Sequence, residues 1–340
     1  MWTDGRTFLR LAVAGLLGAV VVGVAVMTAQ LGDPAGGGED RFAAPPVKDC
    51  SRPYADTSPW NTPIPTSAQY MPDGADRVRT IDGLLTSDPT QYTYPVYEVD
   101  RRTRRVDVRF DGRFSHVSDN NRRLELIDGG TVRMPIPADA EAAAGSDAQI
   151  IVIDRETGDE WGAWRLRRMG DGWRMENGYR YNVRWSGVPP RDEAGNPFGS
   201  RGAGVPYLAG LVRPCEIERG RIEHALAFAY DWPTAEYVYP ASKSDGASDD
   251  PRGLPEGTRL QLDPELDSDD LEGFGCLGPC AVIARALQRY GMYVIDNAGR
   301  PKIMLEYHAT AGWPAGIDAM TVTPLPLSSF RVLEPARPGD

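Results

Sequence analysis

The side chain best suited to proton transfer in this chain stands on a predicted strand, Arg221–Tyr230. A two-residue period places His224 on the bulky face of that strand, beside Leu226 and Phe228. An imidazole in such a position is either a hydrogen-bonded core group or a working acid or base. His224 is therefore the first candidate for a catalytic residue, with a core role as the alternative.

The partners of such a base can be identified by residue type. Polysaccharide lyases use His or Tyr to remove the C5 proton of a uronic acid, while Arg, Asn or Gln counters the sugar carboxylate. Tyr239 and Arg201 supply these types and join His224 in the predicted catalytic set. Lys243 and Asp245 stand in a polar segment that is either a substrate-binding loop or a simple turn.

Paired carboxylates would support a different reaction, the hydrolysis of a glycosidic bond. Asp147 precedes the predicted central strand Gln149–Asp154, and Glu160 opens the next strand. Asp154 and Glu160 flank a turn, where acidic residues are ordinary, so Asp147 is the carboxylate predicted to be catalytic. Gln149 lies two residues further on and is predicted to bind the substrate.

Aromatic and acidic clusters give the remaining candidates. Trp60 and Trp161 could stack on the apolar faces of sugar rings, although most large aromatic side chains belong to the core. The acidic run 263–272 lacks the spacing and the central Gly of an EF-hand and is interpreted as a solvated loop. The sequence therefore predicts no metal ligand set and no cofactor.

Composition excludes several classes of function. The chain has 340 residues and a net charge of −11, which argues against nucleic acid as the main partner. It contains no P-loop, dinucleotide-binding Gly fingerprint, Gly-x-Ser-x-Gly elbow or His-Glu-x-x-His motif. Nucleotide enzymes, serine hydrolases of that class and zincins are therefore not expected.

The N-terminus predicts a membrane anchor. The apolar run 8–29 is long enough to span a bilayer, with arginines before it and acidic residues after it. We predict a single-pass signal-anchor helix in residues 1–30, a flexible linker in 31–48 and one extracytoplasmic domain in 49–340. A cleaved signal peptide and a secreted protein are the alternative.

The four cysteines, Cys50, Cys215, Cys276 and Cys280, indicate disulfide bonds on the outer side of a membrane. Three pairings are open. Cys276 and Cys280 are close enough in sequence to staple a loop at a helix start, and Cys50 would then pair with Cys215. A zinc site is the alternative, but the cysteines lack a second close pair.

Short alternating runs separated by Gly and Pro indicate a mainly β protein, an antiparallel β-sandwich of jelly-roll type with a few short helices. The clearest helix is Pro279–Tyr290. The predicted strands form two hairpins and a meander: Tyr94–Asp100 with Arg105–Phe110; Met292–Asp296 with Lys302–Tyr307; and Gln149–Asp154, Glu160–Arg167 and Trp173–Glu176.

Several segments together resemble a family of uncharacterised secreted or membrane-anchored bacterial proteins that is common in actinobacteria. The matching segments are Ser58–Pro65 (SPWNTPIP), Gly145–Asp147 (GSD), Glu160–Trp161, Gly202–Pro206, His224–Tyr230 (HALAFAY) and Ala286–Met292 (ALQRYGM). The resemblance covers most of the chain after residue 58 and implies no established activity. In such relatives Gly-His often follows the Ser-Asp pair, whereas Ala148 and Gln149 stand there in this chain.

Location and predicted architecture together favour action on a cell-wall or extracellular polysaccharide, as a lyase or a glycosidase. Two other functions stay open. A non-catalytic glycan-binding module would use the tryptophans and no acid–base pair, and a structural protein of the envelope would need no concave site.

Overall fold

The alternating and β-branched runs of the sequence form the strands of a mainly β protein, as predicted. The computed structural model describes residues 51–110, 117–119, 122–123, 130–170 and 172–336. The predicted anchor, linker and Cys50 lie outside these residues. All of the described residues belong to one compact unit, Lys48–Asp340.

A six-stranded mixed sheet is built around the Ile-Ile-Val-Ile run, which forms a central strand as predicted. Strands are numbered in chain order. From one edge to the other they are β1 (Val96–Val99), β6 (Ile150–Asp154), β7 (Asp159–Trp164), β10 (Asn177–Asn182), β3 (Val117–Asp119) and β4 (Arg122–Arg123). The pairs β1–β6 and β10–β3 are parallel and the others are antiparallel.

Three further sheets complete the fold. The five-stranded sheet has the order β16 (Lys302–Ile303), β11 (Leu226–Tyr230), β15 (Met292–Asn297), β14 (Arg259–Leu262) and β17 (Phe330–Val332). The four-stranded sheet has the order β5 (Thr131–Met134), β2 (Val106–Phe110), β9 (Gly172–Met175) and β8 (Arg167–Met169). The two-stranded sheet pairs β12 (Thr234–Tyr237) with β13 (Pro255–Glu256) in parallel. The larger sheets are mixed, and the antiparallel jelly-roll arrangement is not confirmed.

Strands β1, β2, β6, β7, β9, β11, β15 and β16 overlap predicted strands, but three of the predicted pairings are wrong. The predicted strand Arg221–Tyr230 is also too long, because β11 begins at Leu226 and His224 therefore precedes it. β1 belongs to the six-stranded sheet and β2 to the four-stranded sheet, so they form no hairpin. β15 and β16 are separated by β11, which pairs with both. The third strand of the predicted meander, β9, pairs with β2 and β8, and β10 takes its place beside β7. Sequence neighbours were paired in the prediction, and the chain instead changes sheets between them.

Strand β11 lies between two cores, which explains its two unlike faces. Leu226 and Phe228 pack in a core with Ile283 of a helix behind the five-stranded sheet. Ala227 and Ala229 pack in the core on the other side, where their small side chains permit close approach. The predicted two-residue alternation is therefore confirmed in β11 itself.

The same alternation in β6 connects the layers. Ile151 and Ile153 share a core with the small face of β11, and Ile150 and Val152 contribute to a third core with the four-stranded sheet. Since apolar burial contributes about 25 cal/mol per Å2, these shared cores hold the sheets together.

The helices are short and lie at the ends of strands. They are α1 (Gly74–Val78), α2 (Pro214–Glu218), α3 (Ser268–Gly273), α4 (Pro279–Arg289), α5 (His308–Ala311) and a 3-10 turn (Leu327–Ser329). The prediction of α4 is confirmed, with Pro at its first turn. The acidic run interpreted as a loop contains α3 instead. Asp267 caps α3 by accepting hydrogen bonds from the N–H groups of Asp269 and Asp270, and acidic residues at this end suit the helix dipole.

A buried ion-pair network joins the six-stranded and five-stranded sheets. Arg213 places one guanidinium nitrogen 2.9 Å from Glu98 of β1 and another 3.4 Å from Glu306, which follows β16. All three side chains are less than one-tenth exposed. Charges removed from water in this way are stable only when they remain paired.

The disulfide predicted for the two cysteines closest in sequence is confirmed. Cys276 and Cys280 form a disulfide between α3 and α4, and Cys215 is also disulfide-bonded. In the part of the chain that the structure describes, no helix is long and apolar enough to cross a membrane.

Candidate functional site

A cavity of about 780 Å3 opens where the edges of the six-stranded and five-stranded sheets meet. From the six-stranded side it is lined by Asp147 and Gln149 before β6, Trp164 at the end of β7 and Asn177 at the start of β10. Polar side chains lie at this edge because the apolar side chains of the same strands are packed in the two cores.

The opposite wall comes from the five-stranded sheet. Asp296 and Asn297 end β15, and Lys302 opens β16. Two loops close the remaining sides with Tyr94, which precedes β1, and Tyr207. The cavity is therefore lined by acidic, basic, amide and aromatic groups together.

Five residues predicted from the sequence lie in this cavity: Asp147, Gln149, Arg201, Lys243 and Asp245. They come from three segments that are far apart in the chain, and the fold brings them to one place. The amide of Gln149 lies 3.5 Å from the carboxylate of Asp147.

The other four predicted site residues do not line this cavity. Trp60 is 1% exposed and donates its indole N–H to the carbonyl of Gly187. Trp161 is buried in the core shared with the four-stranded sheet. Tyr239 is half-buried beyond β12. The two tryptophans therefore pack inside the protein and present no stacking surface to solvent.

His224 is also buried away from the cavity and is held on both sides. Its Nδ1 lies 2.9 Å from the carbonyl of Ala225, and its Nε2 lies 2.9 Å from the Glu216 carboxylate. Burial lowers the pKa of His224, but the Glu216 charge and both hydrogen bonds outweigh it and raise the pKa above its usual value. Two acceptors favour an imidazolium that donates from both nitrogens, which is the environment of a structural group.

Arg201 fixes the loop that carries the adjacent cavity residues. Its guanidinium donates to the hydroxyl of Tyr94 at 3.1 Å and to the carbonyls of Ala209, at 2.7 Å, and Tyr207. It also lies 4.8 Å from the centre of the Tyr94 ring. Since these partners occupy its planar fork, Arg201 positions the wall and lends positive charge to the cavity.

Three carboxylates, Asp245, Glu256 and Asp296, form what we call the carboxylate cluster. One oxygen of each lies within 4.8 Å of the others. Asp245 and Asp296 line the cavity, and Glu256 lies behind them. Two of the three carboxylates accept backbone hydrogen bonds. The N–H of Gly202 donates to Asp296 and the N–H of Asn297 donates to Asp245, each at 3.2 Å.

Glu256 is the most unusual member of the cluster. Its side chain is fully buried, and neither of its carboxylate oxygens has a hydrogen-bond partner outside the cluster among the described residues. Burial, a carboxyl–carboxyl hydrogen bond with Asp245 and the charges of Asp296 and Asp245 raise the pKa of Glu256 to about 11. Burial and Asp245 likewise raise the pKa of Asp296 well above its usual value. Carboxyl groups this close cannot all ionise without a compensating charge.

Lys302, at the start of β16 in the same five-stranded wall, has unusual surroundings for a lysine. It is 6% exposed, and its Nζ donates to the carbonyls of Gln91 at 2.7 Å and Tyr92 at 3.0 Å. Burial lowers its pKa to about 8, against the opposing charge of Asp88 and with the help of Arg300. An amine with this pKa is partly neutral near neutral pH.

Three of the six described non-glycine residues with a positive φ angle stand at this cavity. Tyr92, Ala148 and Arg201 have φ angles of 48°, 39° and 34°, in the left-handed region that side-chain-bearing residues avoid. Tyr92 and Arg201 line the cavity, and Ala148 connects Asp147 to Gln149. Such strain persists only where the surrounding structure enforces it, and it is frequent at functional sites.

Sequence reasoning missed Glu256, Asp296 and Lys302. Asp296 and Lys302 were inside the predicted strands, where no partner for them could be identified. A signal was present, since Asp296 ends an apolar run and Lys302 begins one, which places both at a sheet edge. Glu256 offered no signal, because a glutamate after Pro255 is typical of exposed loops.

Comparisons of this chain with models of known protein families, with curated protein sequences and with solved structures find no match.

Proposed function

We propose that the protein cleaves an extracytoplasmic, uronate-containing polysaccharide by β-elimination in this cavity, with Lys302 as the base. The observation that carries the proposal is the buried Lys302 amine with its pKa of about 8. A lysine acts as a general base only when its pKa is brought near the working pH, and burial of this kind is how enzymes achieve it.

The hydrogen bonds of Lys302 suit this role. A neutral amine has two N–H groups and one lone pair, and the carbonyls of Gln91 and Tyr92 accept two hydrogen bonds. The lone pair of the neutral form is therefore directed away from both carbonyls. A base held in this way needs little reorganisation when a C–H group is placed next to it.

The other requirements of β-elimination are present among the lining residues. The substrate carboxylate needs a counter-charge, which Lys243 and Arg300 supply by type, and an amide donor, which Gln149 supplies. The leaving oxygen needs a proton, and Tyr92 presents a phenol that is 45% exposed. In the reaction Lys302 takes the C5 proton, the electron pair forms the C4–C5 double bond, the C4–O bond breaks and the leaving oxygen takes a proton.

The location of the substrate rests on the sequence. An N-terminal signal-anchor would hold residues 49–340 outside the membrane, where cell-wall and extracellular polysaccharides are found. The disulfide between Cys276 and Cys280 is consistent with an oxidising compartment.

The test is a panel of polysaccharides incubated with the full chain, assayed for new unsaturated uronate ends by ultraviolet absorbance. We expect activity on at least one uronate polymer, with kcat/KM rising with pH through about 8 because the neutral amine is the active form. Lys302→Arg keeps a cation and hydrogen-bond donors but cannot lose its proton, so turnover should fall by at least about 100-fold.

The matched control is Arg252→Lys, which changes an exposed basic residue in an ion pair with Asp250 and should leave turnover unchanged. Circular dichroism would establish that both variants fold. Full activity in folded Lys302→Arg, or a pH profile that does not rise near pH 8, would refute the role of Lys302.

Hydrolysis is the second candidate, because Asp147 lines the same cavity as the Asp245 and Asp296 carboxyls. Paired carboxyl groups across a sugar-binding site are the catalytic groups of most glycosidases. The same panel separates the two reactions, since hydrolysis releases reducing ends without the new double bond. Binding without either product would instead support a glycan-binding module.

A further inference from the structure

The three carboxyl groups of the cluster have no direct counter-charge among the described residues. In the part of the chain that the structure describes, none of Asp245, Glu256 and Asp296 forms an ion pair with a lysine or arginine. Their direct polar contacts include the two backbone N–H groups of Gly202 and Asn297. The positive charges of Arg201 and Lys243 act on Asp296 without forming an ion pair, and that of Lys243 also acts on Glu256.

The orphaned carboxylate of Glu256 is a second and separate indication of a ligand. Native proteins satisfy almost all of their buried polar atoms, and a buried glutamate whose polar neighbours are other carboxyl groups points to a missing ion or proton. Both Glu256 oxygens are in this state, and the side chain is fully buried. One of its oxygens is turned towards Asp245 and Asp296.

The backbone around the cluster is shaped to leave room for it. A Cβ atom at Gly202 would lie 2.3 Å from Glu256 Oε1 and 2.5 Å from Asp245 Oδ1. Any side chain at this position would collide with two of the three carboxylates. Gly202 therefore permits the carboxylates and the chain to approach each other closely, as glycine does at many ligand sites.

We propose that Asp245, Glu256 and Asp296 together bind a hard divalent cation, for which Ca2+ and Mg2+ are the probes. The donors are all oxygens, which these ions prefer, and oxygens within 4.8 Å of one another can share one ion at 2.0–2.6 Å. Asp245 is exposed at the cavity, so water from the cavity can complete the coordination. The proposal is independent of the reaction proposed above.

The competing arrangement is a cluster that holds protons in place of the cation, and the two can be distinguished by one substitution. Glu256→Gln imitates a protonated glutamate, so it should be tolerated in either case. It also removes one anionic ligand. If the cluster binds a cation, Glu256→Gln therefore abolishes that binding, and if the cluster holds only protons, the substitution changes no response to cations.

The experiment is thermal unfolding of the full chain, freed of metal with a chelator that is then removed, at constant ionic strength. CaCl2 and MgCl2 are titrated separately to about 10 mM, above the dissociation constants of weak extracellular calcium sites, which are near 1 mM. We expect a saturable rise in Tm with at least one of the ions, because a ligand that binds only the folded state stabilises it. Titration calorimetry should give one ion per chain.

Glu256→Gln and Asp245→Asn should each remove this rise. Asp147→Asn is the matched control, because it neutralises a carboxylate that lines the same cavity outside the cluster, and the rise should persist. No rise in the wild type with either ion overturns the proposal, as does a rise that both cluster variants retain. Neither measurement uses a polysaccharide, so failure here leaves the Lys302 proposal standing, and the reverse also holds.

Discussion

Among the fully buried glutamates of the described chain, Glu160 and Glu256 stand at opposite extremes of hydrogen bonding. Glu160 accepts hydrogen bonds from the hydroxyls of Tyr54 and Tyr179 and, at 3.0 Å, from the backbone N–H of Leu208. Glu256 accepts none from the described residues. Burial raises the pKa of both carboxyls, but at Glu160 the three hydrogen bonds oppose that shift.

The difference separates a structural group from a binding group. Glu160 joins strand β7 to the loop that carries Tyr207, and its hydrogen bonds are complete without any ligand. Glu256 stabilises nothing that is visible in the fold, and its burial costs free energy. A protein keeps such a group where another species completes it.

His224 belongs with Glu160 in this comparison, and its removal should have the largest effect on stability. His224→Ala leaves Oε1 of Glu216 without its imidazole partner, although Oε2 keeps the backbone N–H of Arg213, and it creates a cavity. The free energy of unfolding should therefore fall by about 3 kcal/mol. Chemical denaturation measures this change. A stable variant that has lost polysaccharide cleavage would instead restore His224 as a catalytic candidate.

The pH dependence of that loss has a definite sign. The pKa of His224 is raised in the folded state, so its stabilisation is complete below its usual value of 6.5 and is lost as pH rises through the folded pKa. The stability difference between the wild type and His224→Ala should therefore shrink as the pH is raised above 6.5. A difference that grows with pH would show that the imidazole is buried in its neutral form.

Matched substitutions test the two glutamates directly. Glu160→Gln places an amide N–H among groups that donate, so it should destabilise by about 2 kcal/mol. Glu256→Gln imitates the protonated carboxyl, can still donate a hydrogen bond to Asp245 and needs no proton to fold, so in chelator it should be neutral or stabilising. Equal losses of unfolding free energy in the two variants, measured by denaturant titration, would contradict the distinction between the two glutamates.

The Glu256 variant should also change the pH profile of stability. A carboxyl whose pKa rises from 4.5 to about 11 keeps a proton on folding that the unfolded chain releases. Stability therefore falls as pH rises above 4.5, and Glu256→Gln cancels this contribution. Its advantage over the wild type in chelator should increase between pH 5 and pH 8, measured by thermal unfolding.

The smallest expected effect tests the strain beside the cavity. Ala148 has a φ of 39°, which glycine adopts without steric penalty, so Ala148→Gly should raise stability by up to about 1 kcal/mol. The same change should loosen Asp147 and Gln149 and lower activity. Thermal unfolding and turnover on the same preparation would show both, and a variant that gained activity would contradict a positioning role for the strain.

The sequence was informative about strands and about the polar edge of one sheet. A β-branched run such as Ile150–Asp154 predicts a strand, and its alternate residues pack in two different cores. Asp147 and Gln149 could be predicted as site residues because they directly precede that strand. Pairing was not predictable, because β11 enters between β15 and β16 from more than 60 residues earlier. Glu256 was invisible for the same reason, since only the fold buries it beside Asp296.

The ion pairs of Arg213 have a consequence for how the molecule comes apart. Glu98 and Glu306 lie in regions of different sheets, and Arg213 serves both of them. Separating the sheets would break at least one of these ion pairs, together with the apolar contacts that surround them. We therefore expect the two walls of the cavity to unfold together, in one cooperative transition.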